Sequence, residues 1–122
     1  MLVEPSSARL QRFKEGDNGR PLVLVQLLRF NEGGRDRYLE YSVKAQQILQ
    51  RLDAQVLYAG ECVDPLLAAD GQAWDGVVIV RYPRRTAYVE MLADPEYQAI
   101  APIKRAALRE ATILPMDDWP AR

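Results

Sequence analysis

Four apolar stretches of the sequence have the length and residue types of β-strands: 21–30, 54–63, 73–82 and 110–116. In "PLVLVQLLRF" (21–30) the even and the odd positions are both mostly apolar, and "AWDGVVIVRY" (73–82) repeats this pattern over its second half. A half-exposed antiparallel strand alternates apolar and polar residues instead. We therefore expect the first and third strands to be covered on both faces.

Two stretches between these strands have helical periodicity. In "EGGRDRYLEYSVKAQQILQRL" (32–52), apolar residues recur every three or four positions. They form one stripe: Tyr38, Tyr41, Ala45, Ile48 and Leu52. The stretch "RRTAYVEMLA" (84–93) predicts a second helix, which precedes the last strand.

The stretch "DPEYQAIAP" (94–102) contains two prolines seven residues apart. An interior proline removes a helical hydrogen bond, whereas a proline at the first helical position costs nothing. Asp94 is a good N-cap and Pro95 suits the first position of a helix. We expect Pro102 to start a further segment in the same way, so that residues 84–109 form three short helical segments.

The order of these elements is β-α-β-β-α-β, which predicts an α+β fold of the ferredoxin-like type, a four-stranded antiparallel sheet with helices on one face. Residues 21–116 form this domain, preceded by an extension (1–20) with a short helix capped by Ser6 or Ser7 and followed by a tail (117–122). No element remains to cover the second face of the sheet. A second copy packed sheet to sheet is the simplest cover, which predicts a homodimer.

Composition narrows the classes of partner. The chain has 122 residues, with 16 Lys and Arg against 17 Asp and Glu, whereas nucleic-acid-binding proteins usually carry a concentrated basic face. No apolar run is long enough to span a membrane, and no secretory signal is evident. Cys62 is the only cysteine, so no intrachain disulfide can form. We therefore expect a cytoplasmic protein without nucleic-acid or membrane partners, with Cys62 buried and inert.

The chain contains no histidine. This excludes Ser-His-Asp and Cys-His nucleophile systems, histidine metal sites and the commonest general base. The aspartates at 64, 70 and 75 do not have the spacing of a calcium loop, and "EGGRDR" is not a dinucleotide-binding fingerprint. We therefore expect no metal and no cofactor.

Several motifs resemble a known family. "PLVLVQLLRF", "GRDRYLEYSVKA", "VLYAGE", "WDGVVIVRYP" and "MLADPEYQAI...RAAL" occur in the order found in the domain-of-unknown-function family numbered 1330. The resemblance covers about residues 21–114 and implies the dimeric α/β-barrel superfamily, which includes cofactor-free antibiotic-biosynthesis monooxygenases. Similar sequences often have Asn where this chain has Gln26, and histidine just before Arg105, where this chain has Lys104.

Seven polar or aromatic residues are candidates for lining a cleft between sheet and helices: Gln26, Arg29, Tyr41, Tyr58, Trp74, Arg81 and Tyr97. Tyrosine hydroxyls can orient an aromatic ligand, and a guanidinium can bind a carboxylate or enolate through two hydrogen bonds. The alternative is structural: the tyrosines belong to the core or an interface, and Arg29 and Arg81 pair with Glu61 or Glu110.

Three hypotheses for function remain open at this stage. The first is a cofactor-free enzyme, monooxygenase- or isomerase-like, that acts on a small carbonyl-bearing or aromatic metabolite. The second is a non-catalytic small-molecule-binding module that uses the same cleft. The third is a purely structural dimer module, whose interior is filled by side chains.

Overall fold

A computed structural model describes residues 4–120 of the chain. Its eight elements follow one another in this order: α1 (Ser7–Glu15), β1 (Leu22–Phe30), α2 (Gly34–Arg51), β2 (Gln55–Glu61), β3 (Gly76–Tyr82), α3 (Arg85–Ala93), α4 (Pro95–Ala107) and β4 (Leu108–Met116). The four strands form one antiparallel sheet in the order β2-β3-β1-β4, with the two most apolar strands at its centre. The predicted ferredoxin-like fold is confirmed.

The two faces of the sheet differ in burial. The even positions of β1, Leu22 to Leu28, are buried against the helices, and through the strand register they lie beside the even positions of β3. The odd positions, among them Val25 and Ile79, lie on the other face and are only half-buried. We call this second side the open face, because none of the helices within residues 4–120 covers it.

Helix α2 packs on the sheet through the predicted stripe, of which Tyr38, Tyr41, Ala45 and Ile48 are buried. The helix starts very close to the end of α4. A Cβ atom at Gly34 would lie 2.1 Å from the carbonyl oxygen of Ala107. Only glycine therefore permits this approach.

The helical region after β3 contains two helices rather than three. Asp94 caps α4, accepting a hydrogen bond from the amide of Glu96 at 2.8 Å, and Pro95 occupies the first turn. The expectation that Pro102 starts a new segment is wrong, since α4 runs through it. Pro102 and Gln98, whose carbonyl loses its partner, are both exposed, so water can bind that carbonyl.

The N-terminal helix α1 is capped by the Ser6 hydroxyl, which accepts a hydrogen bond from the amide of Arg9 at 3.1 Å. It packs against α3, where the Phe13 ring meets Tyr88 edge to face at 6.0 Å. Cys62 follows β2 at the edge of the sheet and is exposed, so the expectation that it is buried is wrong. Across residues 4–120, no helix combines the length and the apolar character that crossing a membrane requires.

Candidate ligand-binding site

A cavity of about 310 Å³ lies between the helix-facing side of the sheet and α2. The even positions of β1 and β3 form its floor and the buried stripe of α2 forms one wall, with α3 adding Tyr88 and Met91. Its size lies at the lower end of the range for small-molecule sites. The cavity is lined mainly by apolar and aromatic side chains, which is typical of such sites.

Four of the six tyrosines line this cavity: Tyr38, Tyr41, Tyr82 and Tyr88. The first two stand three residues apart on α2, so they share a face and their ring centroids are 5.4 Å apart. The rings of Tyr82 and Tyr88 meet edge to face at the same distance. An aromatic ligand would therefore meet ring edges and ring faces on several sides.

The hydroxyls of these tyrosines remain protonated. Burial raises the pKa of Tyr38, Tyr82 and Tyr88 well above the ordinary value of 10. The pKa of Tyr41 is also raised, first by burial and then by the hydroxyl of Tyr97, which lies 3.0 Å from its own. At neutral pH these groups can donate hydrogen bonds to a ligand oxygen, but they cannot act as phenolate bases.

Gln26 is the buried polar residue on the cavity floor, with an exposed fraction of 7%. Its side-chain amide makes no hydrogen bond to the protein within residues 4–120, although every fully enclosed side-chain nitrogen or oxygen in that range has a partner. The amide atoms are therefore open to the cavity. A buried amide that faces a cavity can bind the carbonyl of a ligand.

Charged groups lie around the cavity rather than in its centre. Arg35 and Glu61 form an ion pair at the lining, and about half of each side chain is exposed. Lys104 of α4 also borders the cavity, with its Nζ 5.7 Å from the centre of the Tyr41 ring. The Arg35–Glu61 pair thus places a compensated charge at the cavity edge, whereas Lys104 adds a positive charge there.

The structure divides the seven candidates between different places. Gln26 and Tyr41 line the cavity. Tyr97 is buried behind Tyr41 and contacts it through the hydroxyl pair. The other four candidates do not line this cavity: Arg29, Tyr58, Trp74 and Arg81.

Strand register explains this separation. Arg29 and Arg81 are odd positions, and Tyr58 pairs with Ile79, so all three side chains lie on the open face. The Arg29 guanidinium lies 4.1 Å from the centre of the Trp74 ring and donates to the carbonyl of Ala73.

Arg29 also forms an ion pair with Glu110. The contacts of Arg29 with Ala73 and Trp74 hold the β2–β3 connection against the sheet, and the ion pair with Glu110 joins Arg29 to β4. This ion pair is one of the partnerships that the sequence suggested for Arg29.

The seven candidates did not include Tyr38, Tyr82, Tyr88 or Lys104, which also line the cavity. Two features of the sequence predict the positions of Tyr38 and Tyr82. Tyr38 belongs to the stripe of α2, and Tyr82 has the same even parity on β3 as the buried residues of β1. No local signal points to Lys104, because its position depends on how α4 packs against α2.

The sheet, its helix-covered cavity and its uncovered open face define the chain as a ferredoxin-like α+β domain. The chain belongs to the family described as domain of unknown function (DUF1330), whose pattern matches residues 14–116.

Solved structures agree with this fold. The protein of unknown function RPA0582 from Rhodopseudomonas palustris is 23% identical, with a TM-score of 0.86 and 98% of each chain covered. A dimeric ferredoxin-like protein of unknown function from Jannaschia sp. CCS1 is 13% identical, with a TM-score of 0.62, covering 80% of this chain and 99% of that one. A dimeric ferredoxin-like protein from Bacteroides fragilis is 10% identical, with a TM-score of 0.58, covering 80% and 96%. A search of curated proteins found no match.

Proposed function

We propose that the protein is a homodimer that binds a small aromatic or carbonyl-bearing metabolite in the cavity between α2 and the sheet, and acts on it without a metal or organic cofactor. The observation that carries this proposal is the Gln26 amide, which is open to the cavity and has no hydrogen-bond partner in residues 4–120. An apolar structural core would place a leucine or valine there. A polar group in that position serves a ligand.

The tyrosines suit the same ligand. Their rings provide an apolar enclosure for an aromatic group, while the amide of Gln26 can donate to a carbonyl oxygen. Protonated hydroxyls nearby can stabilise the negative charge that develops on that oxygen when the neighbouring carbon gives its proton to the Glu61 carboxylate, which also lines the cavity. Return of the proton at another carbon is the isomerase-like outcome, and oxidation of the resulting carbanion by dissolved dioxygen is the monooxygenase-like one.

A non-catalytic binding function is the second candidate. It is favoured by the raised pKa values of the lining tyrosines, which leave no phenolate base, and by the lack of histidine. Both candidates require the ligand, and only the enzyme requires turnover. Liquid chromatography with mass spectrometry, applied to a bound metabolite after incubation in air-saturated buffer, separates the two, because only the enzyme changes the mass of the metabolite or converts it to an isomer with a different retention time.

Ligand binding is tested by a thermal-shift screen with uncharged and anionic aromatic carbonyl compounds, acetophenone and phenylpyruvate first, followed by calorimetric titration. We expect Gln26→Leu to weaken binding about tenfold, the equivalent of one hydrogen bond of about 1.4 kcal/mol. The matched control is Gln50→Leu, the same change at an exposed position of α2. If no compound binds, or if both variants bind equally well, the proposal fails.

The open face supports the proposed dimer. An apolar surface at the centre of the sheet is left uncovered by the elements of the described part of the chain, and it consists of Val23, Val25, Leu27, Val77 and Ile79. Soluble monomers rarely expose a contiguous apolar patch of more than a few hundred Å². The dimeric ferredoxin-like proteins from Jannaschia and Bacteroides support the same arrangement here.

Light scattering coupled to size exclusion tests the dimer. We expect twice the 13.9 kDa chain mass at micromolar concentration, at low and at high salt. Val25→Asp should give monomer, because a two-fold interface places the new charge close to its own copy. Val43→Asp makes the same change at an exposed position of α2 and should leave the dimer intact. A wild-type mass near that of one chain would refute the proposal.

The cytoplasm is proposed as the location of this dimer. The proposal rests on the single cysteine, Cys62, which is exposed and has no partner for an intrachain disulfide.

A further inference from the structure

A second space, a groove of about 1160 Å³, lies beneath α1 and is bounded by α4 and β4. It is distinct from the cavity described above, although Tyr88 and Lys104 border both. The hydroxyl pair of Tyr41 and Tyr97 lies between them, since Tyr41 lines only the cavity and Tyr97 lines only the groove. We call this space the α1 groove.

Helix α1 is held at its two ends rather than along its length. At one end, Arg105 of α4 lies 3.5 Å from the carboxylate of Glu4. At the other, the Arg85 guanidinium donates to the carbonyl of Phe13 at 3.1 Å and lies over its ring. No residue of α1 is fully buried. The helix therefore spans the groove without filling it.

The interior of the α1 groove is apolar. Leu10 and Phe13 of α1 face the groove on one side, and Leu92, Ala101 and Ile113 face it on the other. All five are only partly buried. Their remaining exposure would favour an apolar ligand, because covering apolar surface is stabilising by about 25 cal/mol per Å².

The rim of the groove is positively charged. Arg9, Arg12, Lys104 and Arg105 border it, against one carboxylate, Glu4. Among the described residues, only Arg105 of these four cations has an acidic partner. An apolar interior with free cations at its edge is complementary to a molecule that has an apolar chain and an anionic head.

We infer that the α1 groove is a second binding site, which takes an amphipathic carboxylate, with its alkyl chain under α1 and its carboxylate at Arg9 and Arg12. This goes beyond the function proposed for the cavity and does not depend on it. The large volume suits an extended chain better than the cavity does, since the cavity is less than a third as large.

Calorimetric titration of the full chain with decanoate, and with decanol as the uncharged analogue, tests this inference. We expect saturable decanoate binding that weakens with added salt. The double variant Arg9→Gln/Arg12→Gln should weaken decanoate binding at least fivefold while decanol binding stays unchanged. The matched control, Arg20→Gln/Arg37→Gln, removes the same charge at exposed positions outside the groove and should have no effect.

Two further variants test whether the alkyl chain of the probe binds in the α1 groove. Leu10→Gln on α1 should weaken both probes, whereas Ala45→Phe, which fills the other cavity, should leave decanoate binding unchanged. The inference is overturned if decanoate does not bind, if the two arginine pairs behave alike, or if Ala45→Phe abolishes binding. Binding that appears only after removal of residues 117–122 would also overturn it, and would assign the groove to that acidic, Trp119-containing segment instead.

Discussion

The Asp94 carboxylate joins the two helices that hold the Tyr41–Tyr97 pair. One oxygen accepts the amide hydrogen bond of Glu96 at 2.8 Å and thus caps α4. The other lies 3.0 Å from the guanidinium of Arg51, near the end of α2. Replacing Asp94 by alanine removes both contacts, so its cost can be worked out from the two.

Loss of an N-cap costs about 1 kcal/mol. The ion pair adds about 0.5 kcal/mol, because the Arg51 side chain is 49% exposed and solvent screens it. We therefore expect Asp94→Ala to lower the free energy of unfolding by about 1.5 kcal/mol. For a chain of 122 residues, 1 kcal/mol corresponds to about 4 °C in Tm, which gives a decrease of about 6 °C.

Two companion variants separate the contributions. Asp94→Asn keeps a good cap and loses only the ion pair, so its cost should be about 0.5 kcal/mol. Pro95→Ala leaves both contacts in place and serves as the control. Unfolding by urea and by heat, followed by circular dichroism, measures all three. An unchanged Tm for Asp94→Ala, or equal losses for Ala and Asn, would refute the assignment of the cap.

Two further predictions concern the packing of the interior. Because burial raises the pKa of Tyr38, Tyr82 and Tyr88, their stabilising contribution is complete below pH 10 and falls above it, by about 1.4 kcal/mol per pH unit for each tyrosine. Urea unfolding midpoints between pH 8 and 11 measure this loss of stability. Tyr88→Phe should make the decrease of stability with pH less steep. Tyrosinate absorbance that appears before the protein unfolds would contradict the raised pKa values. Gly34→Ala should destabilise the fold by about 2 kcal/mol or more in the same urea assay, because the new methyl group would collide with the Ala107 carbonyl. The control, Arg37→Ala, changes an exposed residue of the same helix and should be nearly neutral. Equal effects of the two changes would contradict the close approach of Gly34 to Ala107.

Local patterns in the sequence were sufficient to predict the strands, the main helical regions and their order along the chain. The continuous apolar runs in 21–30 and 73–82 predicted the two central strands, and the stripe in 32–52 predicted the buried face of α2. Asp94 and Pro95 fixed the start of α4, because capping depends only on residues within one helical turn. These signals are local, so they can be read without knowing the fold.

The position of Pro102 inside α4 could not be predicted from local sequence patterns. An exposed proline inside a helix is tolerated because the carbonyl that it leaves without a partner faces water, and exposure of that side is decided by packing. The same holds for Cys62, whose exposure follows from its place at the edge of the sheet.

The composition of the candidate site depends on whether a strand residue has an even or an odd position, and on contacts between segments that are distant in the sequence. The sequence predicted that Gln26 and Arg29 lie on one strand. Because Gln26 is an even and Arg29 an odd position, their side chains lie on opposite faces of the sheet. Only the tertiary structure decided which face the helices cover. It also decided that Arg29 binds the β2–β3 connection and Glu110, and that Lys104 and α1 border the spaces where a ligand can bind. Such positions result from packing between elements far apart in the chain, and no local pattern of residues encodes them.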